Sequence, residues 1–464
     1  MAEQASMPVF DLTRTRRVHV VAIGGAGMSS IATLLAQGGH TVSGSDAVDG
    51  PMLESLRALG VAVTVGHDPA NVTGAEVVVA STAVADDNLE LVEARRLGVP
   101  VMRRRDFLPA FGALQPFVSV TGTHGKTTTA SLLAVALRGA GADPSWLLGA
   151  PVPALGGSAS LGGGRWMVLE ADESDGSFLS GPRAAGLLTN AEPDHLEFWG
   201  GWDRLRAGFR EFIEQTDGPV VACLDDPAAS ELAAETAAVG YGTDPSARYR
   251  VESLSLDTRG SDFTLCTPAG NHRVRLSLPG RHNALNAAGA LATVGELGLD
   301  VGEAGGALAD HSGLYRRFEH RGTAGQVEVV DDYAHLPTEV RAALAAGSAS
   351  GWERLVVVFQ PHRYSRTEAL WKDFGDAFGD ADVLVLTEIY PAGEQPRAGV
   401  TGRLLVDAVV DSGAARPLWA DTLQGAAELL CDILRPGDLL MTVGAGDVRD
   451  VGDMVLAARG GSAR

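Results

Sequence analysis

Cysteine is scarce in this sequence, and its scarcity excludes two common kinds of stabilising site. The 464 residues include three cysteines, which lie far apart and form no C-x-x-C pair. A disulfide framework or a zinc knuckle would need more cysteines at closer spacing. We therefore expect Cys223, Cys266 and Cys431 to be buried thiols.

The sequence is also poor in basic residues and in long apolar runs. Lys and Arg together number 37 against 58 for Asp and Glu, which gives a formal net charge of −21. Such a chain has no global basic field to attract nucleic acid. No run of about 18 apolar residues occurs, and residues 1–17 lack the apolar centre of a signal peptide. We expect no nucleic-acid binding, no membrane insertion and, by default, a cytoplasmic location.

With 45% hydrophobic and 20% charged residues, the chain has the composition of a globular protein. Its length corresponds to about three domains of roughly 150 residues each. Strand-like and helix-like runs alternate in residues 18–110, and similar runs recur from residue 116 and from residue 313. This rhythm predicts α/β units whose parallel sheets are covered by helices. We place the domains at residues 1–112, 113–312 and 313–464.

The segment Gly122–Thr129 has the layout of a nucleotide triphosphate site. It follows a short apolar run at residues 116–120 and opens a helix-like stretch. Its two glycines let backbone N–H groups surround phosphate oxygens, Lys126 supplies positive charge, and Thr127 offers a hydroxyl to Mg²⁺. Val120 stands where the strict pattern has glycine, so the loop is a shortened relative of the usual one. We predict ATP and Mg²⁺ here; the alternative is a glycine turn with an incidental lysine.

A second glycine cluster, at Gly24, Gly25 and Gly27, follows the first predicted strand and precedes a helix. Asp46 ends the next predicted strand. The layout is that of a dinucleotide fingerprint, but Ser30 occupies the third fingerprint position. The cluster therefore predicts a diphosphate or ribose site rather than an NAD or FAD site. The alternative is a close-packed βα turn without a ligand.

Acidic segments follow two predicted strands of the central domain. Glu173 lies in the first segment and His195 in the second. Because the carboxyl ends of parallel strands meet at one edge, both side chains should face the same ligand. Mg²⁺ needs one or two carboxylates besides phosphate oxygens, so we predict Glu173 as a ligand. His195 is a ligand of a second site, a base or a structural histidine. For Asp172, Asp175 and Asp194 a capping role in turns is an equal alternative.

Two further segments suit nucleotides and carboxylates. The segment Arg281–Asn286 stands just before an Ala-rich helix, where its amides and imidazole can reach a purine or can cap the helix. Arg316 and Arg317 form one arginine pair, and Arg363 and Arg366 form another. Their guanidinium groups can hold phosphate or carboxylate through two parallel hydrogen bonds. The alternative for each pair is a solvated surface.

Taken together, these segments resemble the Mur ligase family of peptidoglycan synthesis along essentially the whole chain. The phosphate loop by itself identifies only the superfamily, which includes folylpolyglutamate synthase. The segments Asp331–His335 and Phe359–Thr367 are far more specific. The matching segments are Gly24–Met28, Gly122–Thr129, Glu170–Asp175, Asn190–His195, Gly280–Asn283, Arg316–Phe318, Asp331–His335 with Pro337–Val340, Phe359–Thr367 and Gly444–Asp447.

The resemblance implies three α/β domains. The expected domains are an N-terminal Rossmann-like parallel sheet that binds the UDP-sugar, a central P-loop-type domain that binds ATP, and a C-terminal Rossmann-like domain on the amino-acid side. The implied reaction is ATP-dependent joining of L-alanine to the lactyl carboxylate of UDP-N-acetylmuramate through an acyl phosphate, which releases ADP and phosphate. The implied metal is Mg²⁺, and the implied assembly is a monomer or a homodimer.

The same resemblance implies roles for individual residues. The expected UDP-sugar contacts are Gly24, Gly25, Gly27, Asp46 and His67. The expected ATP contacts are Gly122, Thr123, His124, Gly125, Lys126, Thr127, Thr128, His282, Asn283, Asn286 and Arg317. The expected metal ligands are Thr127, Glu173 and His195. The expected alanine and substrate-carboxylate contacts are Tyr333, His335, Arg363 and Arg366. The expected catalytic residues are Lys126, Glu173, His195, His335, Arg363 and Arg366, with His195 and His335 both open as the base.

The sequence departs from the family pattern in three places. Leu336 follows His335 where many relatives have a second histidine, so the local polar network is in question. Ala22 replaces a common glycine. The stretch at residues 156–160 lacks the Asn-Ala pair often seen before the acidic strand, and no contact is transferred there.

Three other functions are compatible with parts of the pattern. A related ligase joins a recycled tripeptide to the same sugar nucleotide, but the segment Phe359–Tyr364 argues against it. An NAD-dependent oxidoreductase would use the N-terminal glycine cluster, but it would leave the ATP loop without a purpose. A non-catalytic nucleotide-binding regulator would be expected to lack the acidic metal residues, and Glu173 is present.

Overall fold

The computed structural model describes residues 9–257, 260–311, 313–349 and 351–461. The chain divides into two compact units. The first comprises Met1–Glu252, Thr264–Val274 and Leu285–His311, and the second comprises Ser253–Phe263, Arg275–Ala284 and Ser312–Arg464. The domain boundary predicted at residue 312 falls on a residue outside the described ranges.

The N-terminal sheet is parallel throughout, as the sequence predicts, with the strand order β3-β2-β1-β4-β5. Its elements are β1 (Arg17–Val21), α1 (Ala26–Gln37), β2 (Thr41–Asp46), α2 (Pro51–Ala58), β3 (Ala62–Val65), a 3-10 helix (Pro69–Val72), β4 (Val77–Ala80), α3 (Leu89–Arg96), β5 (Val101–Arg103) and α4 (Arg104–Gly112). The strand order reverses between β1 and β4. Ligands of open α/β sheets bind at such a reversal, beyond the carboxyl ends of the strands.

The boundaries at the first glycine cluster differ from those read from the sequence. The predicted strand extends to Ile23, but β1 ends at Val21 because Ala22 has a left-handed backbone with φ +59°. The predicted helix begins at Ser29, but α1 begins at Ala26, directly after Gly25. Helix α1 therefore presents its first turn to the glycine cluster.

The central sheet is mixed and has the strand order β15-β14-β13-β12-β11-β10-β6-β9-β7-β8. Its parallel part, from β13 to β7, contains the strands that end at the predicted site. The elements are β6 (Phe117–Thr121), α5 (Lys126–Gly139), β7 (Ser145–Val152), a 3-10 helix (Pro153–Leu155), β8 (Gly157–Ser160), β9 (Met167–Glu170), a 3-10 helix (Ser177–Leu179), β10 (Arg183–Leu188), α6 (Leu196–Trp199), α7 (Trp202–Glu214), β11 (Val220–Cys223), α8 (Pro227–Glu235), β12 (Val239–Gly242), β13 (Tyr249–Asp257), β14 (Gly260–Thr267), β15 (Gly270–Leu276), α9 (Arg281–Glu296), α10 (Val301–Ala307) and a 3-10 helix (Leu308–Asp310).

The N-terminal sheet and strands β6 to β12 of the central sheet belong to the first compact unit, and they share a hydrophobic core. Buried side chains such as Ile31 and Leu35 of α1 form one cluster with Leu147 and Phe209. The Ser30 hydroxyl also lies 2.9 Å from the Ser158 hydroxyl, which joins α1 to β8. Ser30, the residue that departs from the dinucleotide fingerprint, thus has a packing role.

The C-terminal sheet has the strand order β16-β17-β21-β18-β19-β20. Strand β16 is antiparallel to β17, and the remaining pairs are parallel. The elements are β16 (Glu319–Ala324), β17 (Val327–Asp332), α11 (Pro337–Ser348), β18 (Arg354–Phe359), α12 (Tyr364–Leu370), β19 (Val383–Thr387), α13 (Arg403–Ser412), β20 (Leu418–Ala420), α14 (Leu423–Ile433), β21 (Asp438–Val443) and α15 (Arg449–Ala458). The central strands β17, β18 and β21 are almost wholly buried, which explains apolar runs such as residues 355–359 of β18.

Two expectations from composition can be compared with the structure. All three cysteines are free, but only Cys223 is buried, so the expectation of burial is wrong for Cys266 and Cys431. Those two lie on the faces of β14 and α14 that solvent partly reaches. Among the described residues, no helix is both long enough and apolar enough to cross a membrane.

Candidate functional site

The phosphate loop between β6 and α5 requires glycine at two positions. Gly122 has φ +132° and Gly125 has φ +76°, which are conformations that other L residues rarely adopt. A Cβ at Gly122 would also overlap the hydroxyl of Thr189 at the end of β10. Gly125 caps α5, so the N–H groups of Lys126, Thr127 and the next residue, Thr128, face the loop as free helix donors. The local geometry is that of an anion-binding helix N-terminus.

Lys126 is held over this loop by three acceptors. Its Nζ donates to the carbonyl oxygens of Gly122 at 2.8 Å and Thr123 at 3.1 Å, and to Glu173 Oε2 at 2.7 Å. Burial lowers the pKa of Lys126, but the charges of Glu173 and Asp172 outweigh burial and raise it above the ordinary value. The structure thus brings together two residues that the sequence assigns to one site, and the lysine carries its charge there.

Oxygen ligands suited to Mg²⁺ surround the start of α5. Thr127 Oγ1 donates to Glu170 Oε1 at 2.8 Å, and the Gly149 N–H donates to Glu170 Oε2 at 2.6 Å. Glu173 Oε1 is buried and has no hydrogen-bond partner in the described part of the chain. Within the same ranges, no group of three or more His, Cys, Asp or Glu side chains is preassembled around a metal. The donor set fits Mg²⁺, which takes few protein oxygens and completes its shell with phosphate and water.

The loop is fixed from the neighbouring strand by two residues that were not assigned a role from the sequence. Asn190 Oδ1 accepts the His124 N–H at 2.7 Å, and Asn190 Nδ2 donates to the His124 carbonyl at 3.0 Å. Thr189 Oγ1 donates to the same carbonyl at 2.7 Å. The His124 ring lies 3.1 Å from Glu192, and Thr123 Oγ1 donates to the Glu192 carbonyl. His124 and Thr123 therefore shape the loop through their contacts with the end of β10.

His195 lies after the same strand, with a left-handed backbone of φ +51°. Its Nε2 is 3.4 Å from Asp194 Oδ2, and its ring is about one quarter exposed. Burial raises the pKa of Asp172, but the charge of Lys126, the hydrogen bonds from Ser174 and, least of all, the charge of His195 outweigh burial and lower it. Asp175 caps the turn at Ser177 through its Oδ1. The structure therefore brings His195 towards the carboxylates after β9, as the strand-end argument expects.

The segment Arg281–Asn286 has a different position relative to its helix from the one that the sequence predicts. Arg281 is the first residue of α9, so the segment forms the helix's first turn and does not precede it. Gly280 directly precedes the helix, and its backbone, with φ +98°, fixes where α9 begins. Asn283 Nδ2 donates to the Pro279 carbonyl at 2.7 Å. The amide of Asn286 lies against the phosphate loop, since a Cβ at Gly125 would be 2.9 Å from its Oδ1.

The N-terminal glycine cluster lies at the carboxyl end of β1. The Gly24 N–H donates to Asp46 Oδ2 at 2.8 Å, and Gly25 caps α1. A Cβ at Gly27 would be 3.1 Å from Nε of Arg104, a residue that no sequence motif indicates. That Nε is buried and, among the described residues, has no hydrogen-bond partner. A guanidinium beside a helix N-terminus favours an anionic ligand at this cluster.

His67, also assigned to the UDP-sugar, stands after β3 beside the same edge. Its Nδ1 is 3.0 Å from Ser45 Oγ and 3.0 Å from Glu90 Oε2. Glu90 is fully buried, and no sequence pattern singled it out. Burial raises the pKa of Glu90, but His19 and hydrogen bonds from Ser45 and Asn71 outweigh burial and hold the pKa at about 2. Glu90 is therefore an ionised carboxylate beneath the predicted nucleoside site.

The two neighbouring arginines of the C-terminal domain have different environments. Arg316 donates from Nε to Asp331 at 2.9 Å and from Nη2 to the Gly444 carbonyl at 2.6 Å, so it ties β17 to β21. Arg317 lies 5.4 Å from the centre of the Tyr333 ring, and its Nη1 is 3.7 Å from Glu339. Within the described part of the chain, the guanidinium of Arg317, the residue assigned to ATP, makes no hydrogen bond to the backbone.

Tyr333, His335 and His362 form a cluster of rings in the second unit, and His282 lies near the charges of Arg317 and Glu339 in the same unit. Burial and the charge of Arg317 lower the pKa of His282 to about 4. The Tyr333 and His335 rings meet edge to face at 5.5 Å. His335 Nδ1 is 3.0 Å from the Tyr333 carbonyl and 3.2 Å from Glu339 Oε2. Since both partners accept hydrogen bonds, Nδ1 carries the proton and Nε2 has the lone pair.

The two arginines after β18 lie beside this cluster. Arg366 Nη1 is 3.0 Å from His362 Nδ1, and the His362 ring is 5.9 Å from the His335 ring. Burial and the neighbouring His335 lower the pKa of His362 to about 4. Arg363 has φ +69°, and its N–H donates to the Tyr390 carbonyl at 2.8 Å. The fold thus brings Tyr333, His335 and Arg366 together from separate segments.

The local polar network is closed around Leu336, where the family resemblance implies a second histidine. Its side chain is buried, and its N–H donates to Glu339 Oε2 at 3.3 Å. The N–H of His335 donates to the same oxygen at 3.0 Å. Glu339 therefore holds the start of α11 and the His335 ring together. The sequence segment Pro337–Val340 includes Glu339, but its pattern does not indicate this role.

Family models match three successive parts of the chain. The model described as "Mur ligase family, catalytic domain" matches residues 17–115, and the "Mur ligase middle domain" matches residues 120–294. The model described as "Mur ligase, glutamate ligase domain" matches residues 316–446. Together these matches cover most of the chain.

Individual proteins match along nearly the full length. The chain is 43% identical to a UDP-N-acetylmuramate--L-alanine ligase of Xanthomonas oryzae pv. oryzae, with 96% of each chain covered. It is also 43% identical to the protein of that name from Paenarthrobacter aurescens, with 96% of this chain and 97% of the other covered. Among solved structures, it resembles the UDP-N-acetylmuramate-alanine ligase MurC from Thermotoga maritima, with 30% identity and a TM-score of 0.78. That match covers 96% of this chain and 99% of the other.

Proposed function

The chain belongs to the Mur ligase family, and we propose that it joins L-alanine to the lactyl carboxylate of UDP-N-acetylmuramate with conversion of ATP to ADP and phosphate. The observation that carries the proposal is the end-to-end similarity to curated ligases of that name. The reaction would supply a peptidoglycan precursor in the cytoplasm. The proposed macromolecular state, a monomer or a homodimer without nucleic acid or membrane insertion, stays a prediction.

The proposed first step activates the sugar's carboxylate. A lactyl carboxylate oxygen attacks the γ-phosphorus of ATP, the bond to the ADP oxygen breaks, and an acyl phosphate forms. This step is needed because a carboxylate is a poor electrophile, whereas an acyl phosphate has a good leaving group. Lys126 and the N–H groups at the start of α5 suit a triphosphate, and positioning with charge stabilisation supplies most of the catalysis of such transfers.

The proposed metal site uses the oxygen ligands beside Lys126. Thr127 and Glu173 would hold Mg²⁺, with His195 serving a second metal or the carboxylates around it. Glu173 supports this role because its buried Oε1 has no partner among the described residues. When bound, Mg²⁺ offsets negative charge on the phosphoryl group. Glu170 holds the Thr127 hydroxyl and so would orient it.

The proposed second step forms the amide. The amino group of alanine attacks the acyl carbon, phosphate leaves, and the ammonium proton passes to a base. His335 suits this role better than His195, because its Nδ1 proton is held by two acceptors and its Nε2 keeps the lone pair. Burial also lowers the pKa of His335, which keeps the ring neutral. Arg363 and Arg366 are proposed to hold carboxylates at this end.

A phosphate-release assay with each amino acid, with and without UDP-N-acetylmuramate, tests the proposal. We expect release only when ATP, the sugar nucleotide and L-alanine are all present, and formation of a product heavier by one alanine residue. Release that proceeds equally well without the sugar nucleotide would contradict it. A product that forms with a tripeptide but not with alanine would favour the related tripeptide ligase.

Competition binding tests the ligand of the first glycine cluster. The N-terminus of α1 favours a diphosphate, while Ser30 is occupied by its contact with Ser158. We expect UDP to bind in saturation-transfer NMR and NAD to leave its signal unchanged. Displacement of UDP by micromolar NAD would instead support the oxidoreductase alternative.

A further inference from the structure

Glu90 lies at the point where the N-terminal sheet reverses its strand order. It is the second residue of α3, the helix that follows β4, and its side chain is fully buried. Three elements bring polar groups to its carboxylate: the end of β2, the chain after β3 and the 3-10 helix Pro69–Val72. Burying a carboxylate without hydrogen bonds would cost free energy. The hydrogen-bond donors around Glu90 offset this cost.

The hydrogen bonds around Glu90 use up its acceptors. Ser45 Oγ donates to Oε2 at 2.6 Å, and Asn71 Nδ2 donates to Oε1 at 2.6 Å. The Asp68 N–H reaches Oε1 at 3.4 Å. His67 Nδ1 lies 3.0 Å from Oε2. On the buried side, His19 Nε2 is 3.8 Å from Oε1, beyond hydrogen-bond distance.

This arrangement determines which nitrogen of His67 carries a proton. The hydrogen of the Ser45 hydroxyl is committed to Glu90, so Ser45 Oγ can only accept from His67. A carboxylate also only accepts. Nδ1 must therefore be the protonated nitrogen of the neutral ring, which leaves Nε2 as an acceptor. His67 is 25% exposed, and its Nε2 makes no hydrogen bond within the described ranges.

We infer that Glu90 is a positioning residue, which fixes the ring and the tautomer of His67 so that Nε2 accepts a hydrogen bond from a donor group of the bound uridine nucleotide. The inference rests on the proposed function, because that function places a UDP-sugar at this sheet edge. His67 and Asp46 follow adjacent strands, and the Gly66 N–H donates to the Asp46 carbonyl at 2.7 Å. A ligand whose diphosphate meets the glycine cluster would thus have its nucleoside within the same crevice.

The first measurement is the tautomer itself. Nitrogen-15 NMR of the imidazole groups in the full-length protein, recorded where His67 is neutral, should show His67 protonated at Nδ1. His67→Ala assigns the signal. A ring protonated at Nε2 in the unaltered protein would overturn the inference without any variant of Glu90 being needed.

The second measurement is a double-mutant cycle for UDP affinity, determined by calorimetry. In Glu90→Gln the side chain keeps its shape, but an NH2 group replaces one carboxylate oxygen. This group faces existing hydrogen-bond donors and cannot accept from them, so His67 loses a fixed acceptor for its Nδ1 proton. We expect Glu90→Gln and His67→Ala each to weaken UDP binding roughly tenfold, a common scale for loss of a hydrogen bond to a charged or polar partner. In the His67→Ala background, Glu90→Gln should have no further effect.

Glu93→Gln is the matched control. Glu93 lies on the same helix and pairs with Arg96 at the surface, so its loss should leave UDP affinity unchanged. ATP affinity and the turnover rate at saturating UDP-sugar should also be unchanged in Glu90→Gln, while KM for the UDP-sugar rises. Equal losses of UDP affinity in both backgrounds would overturn the role of Glu90 in positioning His67. Failure of the unaltered protein to bind UDP would instead overturn the proposed function.

Discussion

Lys126 Nζ and Glu173 Oε2 are 2.7 Å apart, and both side chains are withdrawn from solvent. They come from different strands of the central sheet: Lys126 follows β6, and Glu173 follows β9. Removing one partner of a buried ion pair leaves an uncompensated charge and is strongly destabilising, by about 3 kcal/mol or more. The pair thus links the folding of the phosphate loop to the groups assigned to ATP.

Lys126→Ala is expected to abolish ligation, with at least a thousandfold loss of rate, since the transferring phosphoryl group loses a positive charge. UDP affinity, measured by calorimetry, should remain within a few-fold because the glycine cluster that we propose for UDP is separate from the phosphate loop. The double variant Lys126→Ala/Glu173→Gln should regain much of the unfolding free energy that Lys126→Ala loses, while remaining inactive. A loss of UDP affinity as large as the loss of rate would contradict this division of labour.

The acyl phosphate makes a prediction about oxygen transfer. Oxygen-18 placed in the lactyl carboxylate of UDP-N-acetylmuramate should appear in the released phosphate during turnover with L-alanine. The reason is that the oxygen that attacks the γ-phosphorus leaves with it. Mass spectrometry of the phosphate measures the transfer, and the reaction with unlabelled sugar is the control. Phosphate that never acquires the label would exclude this mechanism.

Ala22→Gly is expected to stabilise the protein. Ala22 has φ +59°, in the left-handed region that costs an L residue about 1–2 kcal/mol. Glycine removes this strain but loses more backbone entropy on folding, so we expect a net gain of about 1 kcal/mol in the free energy of unfolding. Denaturant titration measures the gain. Ala36→Gly in α1 is the control and should lower stability, because glycine is unfavourable in helices; a loss in both variants would refute the strain.

Because His311 is buried, we expect the folded protein to lose stability in acid. It is fully buried, its Nε2 lies 3.2 Å from Ser131 Oγ, and burial lowers its pKa to about 4. The folded protein therefore favours the neutral ring, and its stability should be fully present above pH 6.5, the ordinary value, and decline as the pH falls to about 4. This group alone would contribute about 3 kcal/mol of that loss, at about 1.4 kcal/mol for each unit.

Unfolding measured at several pH values tests this effect. His311→Gln can keep a hydrogen bond to Ser131 but does not titrate, so its stability should depend less steeply on pH in this range. His320→Gln, at a half-exposed position on β16, is the control. An unchanged slope in His311→Gln would show that other groups cause the acid loss.

The sequence by itself determined the α/β class, the phosphate loop and the family. Gly122, Gly125 and Lys126 lie within five positions of each other, so their pattern can be recognised without a structure. Apolar runs likewise predicted the buried strands, with β18 at its observed bounds. Errors lay at boundaries: Ala22 and Gly280 end or start elements through backbone angles that residue type alone does not specify.

Only the tertiary structure decided which distant polar groups meet. Glu90, Arg104 and Asn190 received no role from the sequence, because the groups that they meet, such as Ser45, Gly27 and His124, lie far away along the chain. The same applies to the two histidines left open as the base: the hydrogen bonds that His335 Nδ1 donates to the Tyr333 carbonyl and to Glu339 give His335 a defined tautomer. A side chain's protonation and orientation depend on burial and on neighbours across the fold, and these are properties that no local pattern contains.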